Sequence, residues 1–124
     1  MQNRKVILFL ILSVAFATVH YLAMQVNLYW YLWWFDNVMH FWGGILLGLG
    51  VHAICSLKSI TLKPTMGLLL FTLVVATGTW EVFEWLAGLY DPTTHLFDTT
   101  KDIIVGFGGG LLAHIILNKR TMKL

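Results

Sequence analysis

Three pairs of acidic and histidine side chains in this 124-residue chain have helical spacing: Asp36 with His40, Glu81 with Glu84, and Asp98 with Asp102. Side chains three or four positions apart share one face of a helix, so both members of a pair can reach the same ligand. Carboxylate oxygens and imidazole nitrogens suit divalent ions such as Zn, Mn and Mg. The spacing therefore predicts a divalent-cation site, provided that the three segments meet.

Two hypotheses about function follow from these residues. In the first, the protein is a metal-assisted hydrolase or transferase. Its metal ligands would be His40, Glu84, Asp98 and Asp102. Glu81 or Asp36 would be the base that activates a water molecule. In the second, the protein is a non-catalytic binding or accessory protein, or a small transporter, and the same acids form a cation or proton site. The sequence contains no nucleophile motif, phosphate-binding loop or nucleotide fingerprint. Such motifs therefore do not help to decide between an enzyme and a non-enzyme.

Some of these acids also have a purely structural interpretation. Asp36 and Asp98 stand at expected helix starts, where a carboxylate often accepts backbone N–H groups as a cap. Glu81 and Glu84 are harder to explain in this way, because carboxylates within a membrane are costly and usually face a partner in the bundle interior. With several acids and few nearby cations, either some carboxylates are protonated or a cation lies among them.

Two stripes of residues at every fourth position connect these acids to glycine and histidine. The first stripe is Asp36, His40, Gly44, Gly48 and His52, and the second is Asp98, Asp102, Gly106, Gly110 and His114. Small residues let helices approach closely, so the glycines predict two helices that pack along these stripes. The histidines that end the stripes are expected to be core or interfacial residues. The repeated pattern favours a duplicated helical hairpin.

The composition identifies an integral membrane protein. Hydrophobic residues make up 58% of the chain and charged residues only 11%, whereas a soluble domain carries about a quarter charged residues. We expect an all-α, four-helix membrane bundle that forms one domain over residues 1–124. Apolar runs near the length of a membrane span place the helices at about 6–24, 37–57, 66–90 and 101–117. The first run also resembles a signal peptide, but it continues past the candidate cleavage site at Ala17, which favours a spanning helix.

The distribution of charge predicts the topology. Seven of the eight Lys and Arg residues fall before the first span, between the second and third, or after the fourth. Positively charged loops stay in the cytoplasm, so both termini are expected there. The acids then lie on the outer side with the tryptophans and tyrosines. Because topology accounts for the basic residues, no nucleic-acid partner is expected. Cys55 is the only cysteine, which excludes an intrachain disulfide.

A resemblance to known families rests on three motifs: Asp36-x3-His40-Phe41, Trp80-Glu81-x2-Glu84-Trp85 and Asp98-Thr99-x2-Asp102. In this order, before a glycine-rich helix, they resemble the YjdF-like group of small bacterial inner-membrane proteins. They are more distantly similar to VanZ-like proteins, which are associated with glycopeptide resistance at the cell envelope. The resemblance implies an inner-membrane location. The partners that we expect are membrane lipid, a lipid-linked or cell-wall substrate, and further copies of the chain.

Overall fold

The computed structural model describes residues 3–88 and 95–123, and these two ranges are almost entirely helical. The helices are α1 (Asn3–Gln25), α2 (Leu28–Tyr31), α3 (Phe35–Cys55), α4 (Met66–Ala87) and α5 (His95–Lys123). No β-strand occurs in either described range. The all-α prediction is therefore confirmed.

Four of the helices are long and apolar enough to cross a membrane. The candidate spans are Arg4–Gln25, Phe35–Cys55, Met66–Ala87 and Thr99–Lys119. Large apolar side chains are exposed along them, including Ile11 and Val14 on α1 and Phe71 and Val74 on α4. Such surfaces are unfavourable in water and favourable against lipid tails. The fold is therefore that of a multi-pass membrane protein, and its membrane-facing sides are mainly those of α1 and α4.

The boundaries of α4 and α5 differ from those expected. Helix α4 ends at Ala87, and Gly88 closes it with a φ of 70°, the left-handed geometry that glycine adopts most readily. Helix α5 begins at His95 rather than near residue 101. The residues from 95 to 101 include no glycine or proline to interrupt a helix. Proline disfavours helical geometry in the residue before it, so the sequence predicts a helix break at residues 91–92. These two residues lie outside the described ranges.

Helices α3 and α5 form the centre of the bundle and touch backbone to backbone. A Cβ atom on Gly44 would collide with the backbone carbonyl of Gly106, and one on Gly48 would lie 2.8 Å from the carbonyl oxygen of Gly110. Contact at this distance is open only to residues without a side chain. The prediction that the glycine stripes are helix-packing surfaces is confirmed. Since residue 44 meets residue 106 and residue 48 meets residue 110, the two helices run parallel.

The other two long helices pack on this central pair. Helix α1 contacts α3 through apolar and aromatic side chains, among them Phe9 against Gly50 and Phe16 against the edge of Trp42. Helix α4 contacts both α3 and α5. Its fully buried side chains are Leu69 and Leu73. Helix α4 is thus fixed at its first half, and its second half depends on polar contacts.

Candidate cation site

The acidic cluster forms where α3 and α5 begin. His40 Nε2 lies 3.3 Å from Asp36 Oδ1 on its own helix and 3.3 Å from Asp102 Oδ2 on α5. One donor atom from each of the three residues lies within 4.8 Å of the others. Because α3 and α5 run parallel with residues 40 and 102 at the same level, the same packing that joins the glycines brings these side chains together.

Asp102 is the most deeply placed member of the cluster. Its side chain is only 10% exposed, and its second oxygen, Oδ1, is buried without a hydrogen-bond partner in the described part of the chain. A buried carboxylate oxygen that accepts no hydrogen bond is costly, and more so within a membrane. This oxygen is therefore free to accept a proton donor or to coordinate an ion.

A lysine also belongs to the cluster. Lys101 Nζ lies 4.0 Å from Asp36 Oδ2, whereas His40 approaches the other oxygen, Oδ1. Sequence reasoning missed this contact because Lys101 and Asp102 are neighbours on a helix, where adjacent side chains point in different directions. The lysine balances part of the negative charge, and among the described residues it is the only Lys or Arg in contact with these acids.

Glu81 lies beside the cluster and joins α4 to α5. Its Oε2 accepts a hydrogen bond of 2.9 Å from the Thr99 hydroxyl, while Oε1 is buried with no hydrogen-bond partner among the described residues. Glu81 is also within electrostatic range of Asp102. The sequence analysis did not identify Thr99 as a partner of Glu81. The position of Thr99 beside Asp98 in one of the three motifs is the sequence feature that could have indicated it.

Glu84 makes a more exposed hydrogen bond than Glu81 does. Its Oε1 accepts a hydrogen bond of 2.9 Å from Trp80 Nε1, one helical turn earlier. It lies within electrostatic range of His40 but forms neither a hydrogen bond nor an ion pair with it in the described structure. Of the four predicted metal ligands, the structure thus places His40 and Asp102 together, with Glu84 alongside. Asp98 lies in the first turn of α5, but its side chain lies outside the described residues.

Asp36 has a role different from the helix cap considered above. Helix α3 begins at Phe35, and its capping position is Trp34, which makes no side-chain capping bond. Asp36 therefore lies within the first turn, where its carboxylate faces His40 and Lys101 instead of closing the helix. The structural interpretation of Asp36 as an N-cap is wrong.

We call the end of the bundle that contains Asp36, His40, Glu81, Glu84 and Asp102 the polar end. A second histidine also lies toward this end, at the last part of α1. His20 Nδ1 is 2.7 Å from the hydroxyl of Tyr29 in the short helix α2. Burial, and secondarily the negative charge of Asp36, raise the pKa of Tyr29 to about 12. The His20–Tyr29 contact joins α1 to α2 near the Asp36 carboxylate.

Two further histidines, His52 and His114, meet at the opposite end of the α3–α5 pair. His52 Nε2 lies 3.0 Å from His114 Nδ1, and both residues are buried, with 1% and 3% exposure. The interpretation of these residues as core histidines is confirmed. The other nitrogen of His114, Nε2, lies 2.9 Å from the Asn118 amide nitrogen. His52 Nδ1 is buried and has no hydrogen-bond partner within the described ranges.

Comparison with known proteins identifies a family but no reaction. A family model described as "Predicted membrane protein (DUF2238)" matches residues 4–123, which is nearly the whole chain. The match is consistent with the resemblance to the YjdF-like group and does not extend to VanZ-like proteins. Comparison with curated proteins gives no match, and neither does comparison with solved structures.

Proposed function

This chain belongs to the DUF2238 family of predicted membrane proteins, and we propose that its polar end binds a divalent cation between α3 and α5. The ligands would be Asp36, His40 and Asp102. Glu81 and Glu84 would add negative charge around the ion. In this proposal the bundle is a scaffold that holds three donor atoms from two helices at one level of the membrane.

The separations of the donor atoms support this proposal. At a metal–ligand distance near 2.1 Å, two ligands of a tetrahedral ion are about 3.4 Å apart. The two separations between His40 Nε2 and the aspartate oxygens are both 3.3 Å. One imidazole N–H cannot point straight at two oxygens, so a hydrogen bond satisfies at most one of these contacts well. A cation that accepts a lone pair from each of the three atoms satisfies all of them.

The balance of charge supports it as well. Four carboxylates, those of Asp36, Glu81, Glu84 and Asp102, lie within electrostatic range of one another or of His40. Lys101 is the cation in contact with them in the described structure. Like charges this close in a poorly solvated site repel one another strongly unless protons or a cation intervene. The buried Oδ1 of Asp102 provides a further lone pair for the ion.

The donor set restricts the choice of ion. One imidazole with carboxylates suits Zn or Mn, and a site with more oxygen and water ligands suits Mg. If the Lys and Arg distribution sets the topology, the site opens toward the outside of an inner membrane. There the ion and Lys101 could together bind the phosphate of a lipid or cell-wall headgroup. The bound ion would then be a recognition element rather than a catalyst.

A second candidate function is metal-assisted hydrolysis or group transfer. It is favoured by one observation, the partnerless Oε1 of Glu81, because a carboxylate oxygen with a free lone pair can take a proton from a metal-bound water. Thr99 would hold the other oxygen of Glu81 and so orient the base. Asp36 serves less well as the base, since both of its oxygens already face His40 and Lys101.

Elemental analysis of the purified protein, with and without a chelator, tests the cation site. We expect a divalent metal to co-purify, and its removal to lower the melting temperature in detergent because bound ion stabilises the folded state. Asp102→Asn and His40→Gln should each lose the metal. His20→Gln is the matched control, since His20 pairs with Tyr29 and lies outside the cluster, and it should keep the metal.

The double variant Glu81→Gln, Glu84→Gln separates the alternatives. With an ion in the cluster, the metal content and the stability should both fall when this negative charge is removed. If these acids are instead protonated, exchange of a neutral acid for a neutral amide should leave the stability near that of the parent. A metal-free parent protein with a melting temperature that chelation does not change would refute the cation site.

A further inference from the structure

We propose that His52, His114 and Asn118 form a proton-transfer site at the end of the bundle opposite the acidic cluster. The three side chains make a continuous hydrogen-bonded row from the interior of α3 to the last turns of α5. The His52–His114 contact is 3.0 Å and the His114–Asn118 contact is 2.9 Å. This site shares no residue with the proposed cation site.

The row can carry its hydrogen bonds in either of two directions. In one, the Asn118 N–H donates to His114 Nε2, and the N–H at His114 Nδ1 donates to His52 Nε2. In the other, His52 Nε2 donates to His114 Nδ1, and His114 Nε2 donates to the Asn118 carbonyl oxygen after the amide has turned over. Both arrangements keep both imidazoles neutral and satisfy both contacts, since each ring nitrogen can act as donor or acceptor.

Passage of one proton converts one arrangement into the other. A water molecule at the inner end gives a proton to His52 Nδ1, and an N–H bond forms there. The N–H bond at His52 Nε2 breaks as its proton moves to His114 Nδ1. The N–H bond at His114 Nε2 then breaks, and its proton leaves to water at the Asn118 end. One proton enters, one leaves, and the charge of the pair is unchanged.

The free nitrogen of His52 is the observation that points to this use. His52 is 1% exposed, and its Nδ1 is buried with no hydrogen-bond partner in the described residues. In a purely structural pair, a buried polar atom left without a partner costs free energy and gains nothing in return. In a relay, the same atom is the entry point, and it must be free when the proton arrives.

The surroundings of the two histidines disfavour two other roles for the pair, a metal site and a group with a lasting positive charge. Two nitrogens bound to one tetrahedral metal lie about 3.4 Å apart, whereas these two lie 3.0 Å apart, which is a hydrogen-bond distance. A lasting positive charge on His52 is disfavoured because Lys5 of α1 and His114 of α5 lie within electrostatic range of it. The part of α4 at this level, residues 66–73, has no ionisable side chain to offset that charge. Transfer through neutral rings avoids the charge.

Nitrogen-15 NMR of histidine-labelled, full-length protein in lipid tests the proposal. We expect coupling across one N–H···N bond between His52 and His114. We also expect His52 Nδ1 and His114 Nε2 each to occur in protonated and unprotonated forms, one being protonated when the other is not. Both arrangements carry the same number of protons, so their populations should stay constant between about pH 5 and about pH 8. A single fixed tautomer of the pair throughout this range would overturn the proposal.

Substitution of Asn118 provides a second test that leaves the buried pair intact. Asn118→Asp introduces a carboxylate that only accepts, so the row should become fixed with protons on His114 Nε2 and His52 Nε2, and the tautomer exchange should be lost. Asn118→Leu should leave the exchange between the rings. His20, paired with Tyr29 at the other end, is the internal control and should not respond. An unchanged exchange in Asn118→Asp would also overturn the proposal.

Discussion

Gly44 of α3 lies directly against the backbone carbonyl of Gly106 in α5, sixty-two positions later in the chain. The contact leaves no space for a single methyl group on Gly44. Three further pairs with the same separation also meet: Gly48 with Gly110, His40 with Asp102, and His52 with His114. The α3–α5 contact is thus a line of equivalent residues, which is the packing expected for a duplicated helical hairpin.

Gly44→Ala should destabilise the bundle. The added Cβ would collide with backbone, which cannot move aside as a flexible side chain can, and overpacking of this kind costs roughly 1–3 kcal/mol. The larger side chain of Gly48→Leu should have a greater effect. The measurement is the melting temperature in detergent.

Gly78→Ala is the matched control for these glycine variants. A Cβ atom at Gly78 would meet nothing within 4 Å, and alanine favours helix more than glycine does. We expect this variant to melt at or slightly above the temperature of the parent. If Gly44→Ala also melted like the parent, the two helices would not touch through their backbones.

Thr99→Val should loosen the second half of α4 from α5. The substitution keeps the shape of the side chain but removes the donor to Glu81, and loss of a hydrogen bond to a carboxylate costs roughly 1–3 kcal/mol. Thr79→Val on the exposed face of α4 is the control and should have little effect. Equal melting temperatures for the two variants would contradict the anchoring role of Thr99.

Tyr29 should make the protein sensitive to alkaline pH. Its folded-state pKa of about 12 lies above the ordinary value of 10.0, so folding favours the protonated phenol. The resulting stabilisation is complete below about pH 10 and is lost as the pH rises through about 12. Tyr29→Phe should therefore show a shallower fall in melting temperature over this range, whereas Tyr31→Phe, at an exposed position, should retain the slope of the parent. A parent and Tyr29→Phe with parallel pH profiles would contradict this account.

Reporter fusions test the orientation of the bundle. Fusions after Lys58 and Lys123 should report a cytoplasmic location, and an epitope inserted near His95 should be accessible from outside. The reason is the concentration of Lys and Arg on one side of the spans. An external signal at Lys58 would place the acidic cluster on the cytoplasmic side.

The central packing could be predicted from the sequence because it depends on regular spacing. Gly44 and Gly48 follow Asp36 and His40 at four-residue intervals, so one helix face carries all of them, and the second stripe repeats the pattern. Once the glycines bring the helices together, the acids and histidines at equivalent positions must meet. Apolar length likewise indicated the spans.

The detailed contacts of the site could not be predicted in this way. Thr99 bonds Glu81, and Lys101 contacts Asp36, through rotations of α4 and α5 about their own axes that spacing alone does not determine. Apolar residues surround α4 on most sides, so its sequence does not reveal which face turns inward. The start of α5 at His95 was missed because polar residues before the apolar run resemble a loop.

The meeting of equivalent positions has a consequence for how such a site can arise. If a single hairpin paired with an identical copy of itself, the position of His40 would face the same residue across the two-fold axis, giving two imidazoles or two carboxylates. Joining both hairpins in one chain removes that restriction, since each half can change separately. The contact between His40 and Asp102 is an acid–base pair that a strictly symmetric dimer of identical hairpins could not form at this position.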